Sequence, residues 1–176
     1  MRARWLSLPL LSLIVSCSST STAPAPAPRP VPVAEMTALM QRADLVAAMA
    51  AVDRDREPIV AQWREATEIP APSGHEAKRA AYVEALLRSY GLTDVHRDAV
   101  GNVMGTRRGS GGGKHVVFDA HLDTVFALET DVKTRIENGK IYAPGVGDNT
   151  RNVIAMLAMI RAMNDARVVT NGDITF

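Results

Sequence analysis

The chain has 176 residues, 47% hydrophobic and 22% charged, and its twenty Lys and Arg against nineteen Asp and Glu leave a formal net charge of +1. This is ordinary globular usage, which predicts one domain with appendages, and the absence of a basic block argues against a nucleic-acid partner. The single cysteine, Cys17, excludes an internal disulfide and any multi-cysteine zinc or iron-sulfur cage.

In chain order, Arg2 and Arg4 precede a short apolar run at 5–15, interrupted by Pro9. A mature membrane-spanning helix needs about 20 apolar residues, so the run predicts a cleaved export signal. Ile14, Val15, Ser16 and Cys17 resemble the lipobox of bacterial lipoprotein precursors, in which cleavage leaves the cysteine as a lipidated first residue. Residues 1–17 are therefore expected to be a signal peptide with a lipobox. The protein is then exported to a bacterial cell envelope and lipid-anchored to a membrane, facing the periplasm or the exterior. A plain signal peptide with an incidental cysteine is the alternative. Residues 18–34 are Ser/Thr-rich and then alternate Ala with Pro, which predicts an extended spacer rising about 3.1 Å per residue. Folded sequence is expected over 35–176.

Residues 35–51 and 56–67 carry apolar side chains at helical spacing, among them Met36, Leu39, Met40 and then Ile59, Val60, Trp63. The methionines are expected to fill core gaps. A further helix follows "PAPSGHE": Ser73 and Glu76 have capping-box spacing, Tyr82, Leu86 and Tyr90 form a stripe expected to be buried, and Gly91 stands where a C-terminal glycine cap belongs. His75 and Glu76 do not make a His-Glu-x-x-His zinc helix, because position 79 is Arg; they are expected in the helix's first turn.

From Val95 the period shortens to strands, expected over 95–98, 102–106 and 115–120. "TRRG" at 106–109 reads as a solvated hairpin tip, and "RRGSGGGKH" as a flexible turn. Its Gly113-Lys114 pair fails as a phosphate loop, since His115 replaces the required Ser or Thr. His96 and His115 have no motif around them and are expected at the surface or a strand edge. "VKTRIENGKIYA" places Asn138-Gly139 between alternating residues, a strong hairpin signal. "APGVGDNTRNV" then leads from a glycine loop into a helix with Val153, Met156, Leu157, Ile160 and Met163 on one side, and "GDITF" opens another buried strand. Strand, loop, helix and strand in succession predict an α/β fold: a mixed, partly parallel sheet flanked by helices.

"VVFDAHLDTVF", at 116–126, ends an apolar strand in a histidine and an aspartate two positions apart. Such groups are costly to bury unpaired. In extended backbone His121 and Asp123 face one side and Leu122 the other, and ligands of open α/β sheets gather outside the carboxyl ends of strands. An aspartate beside a histidine can orient the ring and raise its basicity behind a metal. Asp148 follows in "GVGDN", just before a helix, where a carboxylate could bridge two cations or simply cap that helix.

"DAHLDTV" and "APGVGDNTRNV" resemble the two N-terminal signature segments of the co-catalytic zinc exopeptidases that include aminoacylases, glutamate carboxypeptidases and tripeptidases. "EIPAPSGHE" resembles their entry into the first catalytic-domain helix, and "DAVGNVMGTRRG" the strand pair before the histidine. The resemblance covers roughly 52–176. It implies that His121 is a ligand of one metal, that Asp148 bridges both metals, and that Asp123 is the catalytic aspartate orienting the histidine. It also implies a cis peptide bond between Asp148 and Asn149. Asn152 stands where the family often has glycine.

The resemblance further implies two Zn2+ or other divalent cations, about 3.5 to 4 Å apart, hydrolysing peptide or N-acyl amino acid bonds without a protein nucleophile. The family's general-base glutamate and remaining ligands do not occur within the 176 residues. Residues 35–176 are accordingly expected to be the N-terminal part of a catalytic domain, and the chain an inactive or nearly inactive fragment; a homodimer is one assembly open to the full-length protein. The rival reading is a non-catalytic envelope lipoprotein with a peptidase-like binding fold. A serine hydrolase is disfavoured, since no Gly-x-Ser-x-Gly elbow occurs.

Overall fold

The computed structural model describes residues 32–176. The expected signal segment with Cys17, and the expected spacer as far as 31, lie outside the described residues. Five helices, α1 (Val33–Met40), α2 (Ala43–Arg54), α3 (Arg56–Thr67), α4 (Ala77–Ser89) and α5 (Arg151–Asp165), accompany strands β1 (Thr93–Arg97), β2 (Val103–Arg107), β3 (Val116–Val117), β4 (Arg135–Glu137), β5 (Lys140–Tyr142) and β6 (Ile174–Thr175).

The main sheet runs β1-β2-β6-β3. β2 is antiparallel to β1 and to β6, whereas β3 and β6 are parallel. This is the mixed, partly parallel sheet that the element order predicts. The parallel pair is joined through α5, whose Val153, Ile154, Leu157 and Ile160 enter the main core at helical spacing. α4 lies against β1 and β2, and α5 packs against α2 and α3.

Local chemistry sets several boundaries. α4 ends in a two-bond cap: the Leu92 N–H donates to the Leu87 carbonyl (3.2 Å) and the Gly91 N–H to that of Arg88 (3.0 Å). Gly91 is left-handed at φ 77°, and Leu87 and Leu92 close the motif inside the core. Asn138 and Gly139 both take positive φ, 50° and 71°, as a two-residue hairpin between β4 and β5 requires.

Other expectations are corrected. The helix expected over 35–51 is two helices, with Arg42 extended between them. α1 buries no residue, and Met36, Leu39 and Met40 are exposed. Helical spacing reports a shared face but not whether anything covers it. The stripe of α4 that is fully buried is Arg79, Val83 and Leu87, while Tyr82, Leu86 and Tyr90 flank it half-buried. His75 and Glu76 precede the first turn, and no side-chain capping bond forms there; Ser73 is drawn away to Asp123 instead. "TRRG" is no hairpin tip, since Arg107 donates to the Val168 carbonyl and Arg108 pairs with Asp94 and Asp173. The glycine-rich turn is pinned through Ser110 and Gly111 to the carbonyls of Thr170 and Asn171. β3, expected over 115–120, pairs for only two residues and lies at the sheet edge, with Val116, Val117 and Phe118 exposed. It meets one neighbour, β6, and Phe118 stacks on Phe176 at 5.8 Å beside that seam.

Candidate metal centre

β3 leads directly into the site. Beyond it, Leu122 packs against the core while His121 is half-exposed, the alternation expected of extended backbone. His121 Nδ1 lies 3.0 Å from Asp123 Oδ1 and 3.2 Å from the Asp123 carbonyl. On the other edge of the ring, Nε2 lies 3.1 Å from Oδ1 of Asp148, 27 residues away. The structure therefore brings His121, Asp123 and Asp148 together in one line, with the imidazole in the middle. The Asp148–Asn149 peptide is cis. Asp148 makes no capping bond to α5, and its side chain is 90% exposed.

The loop that presents Asp148 is held at both ends. Thr150 Oγ1 donates to the Gly145 carbonyl at 2.9 Å, and Trp63 Nε1 of α3 to that of Val146 at 2.8 Å. Gly145 sits at φ 72°, where a side chain is strained, and a Cβ there would come within 2.6 Å of the Thr124 methyl. Thr124 is itself buried, its N–H donating to the Ala71 carbonyl at 2.7 Å. Gly145→Ala is therefore expected to destabilise the protein by about 1–3 kcal/mol and to weaken any ion held by Asp148. Paired thermal melts and zinc titrations check this, and an alanine protein matching the parent in both refutes it.

A cavity of about 220 Å3 opens beside the pair, lined by His121, Asp123, Thr124, Val125, Phe126 and the loop from Ala143 to Asp148. A larger one of about 450 Å3 meets the same histidine from the side of Glu76, Val100 and Phe118.

Electrostatics follow from the geometry. Partial burial works to lower the His121 pKa, yet the hydrogen bonds to Asp148 and then to Asp123 outweigh it and raise the value above that of a free imidazole. The Ser73 hydroxyl, bonded to Oδ2, is the main cause holding the Asp123 carboxyl below its usual range; burial opposes it and His121 assists. The signs set a pH window for the ion-free protein. The raised His121 value contributes stability that is fully present below the ordinary imidazole pKa and is lost as pH rises through the raised value. The depressed Asp123 value contributes stability that is present above the ordinary carboxylate pKa and is lost as pH falls through the depressed value. Melting temperature in chelator should thus decline on both flanks, with His121→Asn flattening the alkaline one; an unaltered alkaline flank in that variant contradicts the assignment.

An imidazole nitrogen and a carboxylate oxygen form a donor set that zinc accepts. Zinc bonded to both at about 2.0–2.2 Å would hold them roughly 3.4 Å apart at a tetrahedral angle, close to the observed 3.1 Å. Two donors fall short of the three or four that zinc ordinarily takes from protein. Asp123 serves the opposite ring nitrogen, and no group of three or more His, Cys, Asp or Glu converges among the described residues.

Sequence reasoning passed over Ser73 as a contact of Asp123, Trp63 as a tie to the loop, and Arg79. Arg79 had a legible signal: it stands four and eight residues before Val83 and Leu87, on the buried face of α4.

Residues 117–176 match the pattern of Peptidase family M20/M25/M40. Over that segment the chain is similar to that family. Across 149 residues, covering 79% of this chain and 35% of the relative, the sequence is 28% identical to carboxypeptidase G2 of Pseudomonas sp. (strain RS-16). Across 92 residues, 52% of this chain and 24% of the relative, it is 33% identical to a succinyl-diaminopimelate desuccinylase of Corynebacterium glutamicum. The fold matches that of aminopeptidase PepT from Bacillus cereus with a TM-score of 0.60 and 22% identity, over 68% of this chain and 35% of that one. The chain spans about a third or less of the length of the curated relatives it matches. The structure and these likenesses agree on an α/β fold of the M20 peptidase kind.

Proposed function

We propose that the protein belongs to a metal-dependent hydrolase of peptide or N-acyl amino acid bonds, with residues 35–176 as the part of its catalytic domain that carries His121 and Asp148. The observation that supports this most is the convergence of His121 Nε2 and Asp148 Oδ1 to 3.1 Å at the carboxyl end of β3, in the segment that matches the M20 pattern. His121 would be a ligand of one zinc ion and Asp148 the carboxylate shared by two. Divalent ions held there would supply polarisation of an amide carbonyl and a water acidic enough to attack near neutral pH.

The chain's own residues prepare that chemistry. Asp123 accepts a hydrogen bond from Nδ1–H of His121, which fixes the ring and aims Nε2 beside Asp148, where an ion would take the place of the Nε2 proton. Ser73 holds the far oxygen of Asp123, so the carboxylate cannot swing to the ion. Asp148 brings negative charge to an open position, and Val125 and Phe126 offer apolar surface beside it. A peptide or N-acyl amino acid fits this combination, as do the activities that the names carboxypeptidase G2 and succinyl-diaminopimelate desuccinylase state for those relatives. For location we propose export and anchoring through a lipidated Cys17, with the Ala/Pro stretch as spacer.

Zinc titration of the chelator-treated protein, paired with assays on dipeptides and N-acyl amino acids, tests the reading. Zinc uptake at micromolar concentration is expected. Turnover by this chain alone should be slight, since the described residues bring only two donors together. Failure to bind zinc overturns the proposal, and a folded envelope protein that binds peptides without metal would be the rival reading.

A further inference from the structure

Arg79 is the most voluminous fully buried side chain among the described residues, 1% exposed, yet its guanidinium has no carboxylate within ion-pair distance there. Three backbone carbonyls receive it instead. Nη1 donates to Leu122 at 2.8 Å, and Nη2 to Ile69 at 2.6 Å and to Thr67 at 3.4 Å, while Nε has no partner. Thr67 is the last residue of α3, whose C-terminal carbonyls carry partial negative charge and lack partners within the helix. The cation thus answers the end of α3 and, more closely, the chain two residues beyond it with one nitrogen, and the chain just past His121 with the other.

Burying a cation with no carboxylate in direct contact is expensive; burial works against the charged form and the nearby Asp123 carboxylate partly offsets it. Capping α3 alone, by contrast, could be done by water or an exposed lysine. What favours a buried arginine is the span: a rigid plane with donors on two separate nitrogens reaches carbonyls further apart than the single nitrogen of an ammonium can. The Leu122 carbonyl belongs to the peptide bond that enters Asp123, so its direction governs how the Asp123 side chain leaves the backbone. Asp123 in turn holds Nδ1 of His121 at 3.0 Å. Resting on the reading of His121 and Asp148 as ligands, we infer that Arg79 is a positioning residue for the metal centre. By clamping the Leu122 carbonyl to the end of α3, it sets the aim of Asp123 and therefore of His121 Nε2.

The test compares Arg79→Lys and Arg79→Met with the parent, using the whole chain, by zinc calorimetry, by the absorption spectrum of the cobalt-loaded protein, and by the ring 15N shifts of His121 in the ion-free protein at one fixed pH. The lysine variant is expected to bind zinc about tenfold more weakly and the methionine variant up to about a hundredfold, the range for losing a partner that orients a ligand. An altered cobalt spectrum and displaced ring shifts should accompany the loss. A lysine variant that melts earlier but keeps zinc affinity, cobalt spectrum and ring shifts would show that Arg79 merely caps α3, and the inference falls. If the parent takes up neither ion, the metal reading fails separately, and the ring shifts decide alone: displaced shifts uphold the clamp and unchanged ones overturn it. Should the methionine variant not fold, the lysine variant carries the comparison.

Discussion

His121→Ala should reduce zinc affinity by at least a hundredfold while leaving the fold intact. The ring is half-exposed, and its two partners are side chains at the rim of the sheet rather than core atoms, so little packing is lost. What disappears is one of the two donors that converge among the described residues, which leaves Asp148 alone in open solvent. A single exposed carboxylate holds zinc weakly, because the ion must surrender hydration for one bond. Asp148→Asn should lose affinity for the complementary reason, since an amide oxygen carries no charge to hold a cation. Circular dichroism and calorimetry on the same samples check both. Retention of parental affinity by the alanine protein would place the metal elsewhere and remove the basis of the proposed hydrolase.

The second large effect is one of stability. Ile160→Ala should cost about 2–5 kcal/mol, the range for deleting a buried aliphatic side chain. Ile160 is fully buried in the main cluster, where α5 meets the sheet and the other helices, so neighbouring elements cannot easily collapse into the space. At roughly 3 °C per kcal/mol for a body of this size, the melting temperature should fall by about 6–15 °C. Against a total stability of about 5–15 kcal/mol, that loss leaves a marginal fold. Met36→Ala is the natural control: Met36 lies exposed on a helix that buries nothing, and its loss should change the melting temperature little. A control that melts as early as the core variant would mean that α1 is covered in solution.

Much of the local architecture was legible because it is encoded over a few residues. Asn138-Gly139 dictated a hairpin, since a tight turn needs two positive φ angles. Gly91 dictated the end of α4, and the spacing of Val153, Leu157 and Ile160 dictated which side of α5 would be buried. His121 and Asp123 were legible as a pair because extended backbone puts them on one side, whereas the glycine loop left Asp148 open between a ligand and a helix cap, and only the resemblance pointed it towards His121.

What the chain could not disclose locally was who would meet whom across long separations. Ser73 had the spacing of a helix cap, but α4 begins only at Ala77, and the fold set Ser73 beside Asp123, fifty residues on, where its hydroxyl donates to the carboxylate. Arg79 looked like a failed zinc motif, and only the approach of Leu122, 43 residues away, together with the end of α3, gave its buried charge a use. Periodicity gave α1 an apolar face and β3 an apolar run, yet nothing in either segment says that α1 would remain uncovered or that β3 would lie at the edge. The sequence by itself determined turn, cap and period, which act through neighbours along the backbone. The tertiary structure alone decided burial and pairing, because both depend on which distant surface arrives.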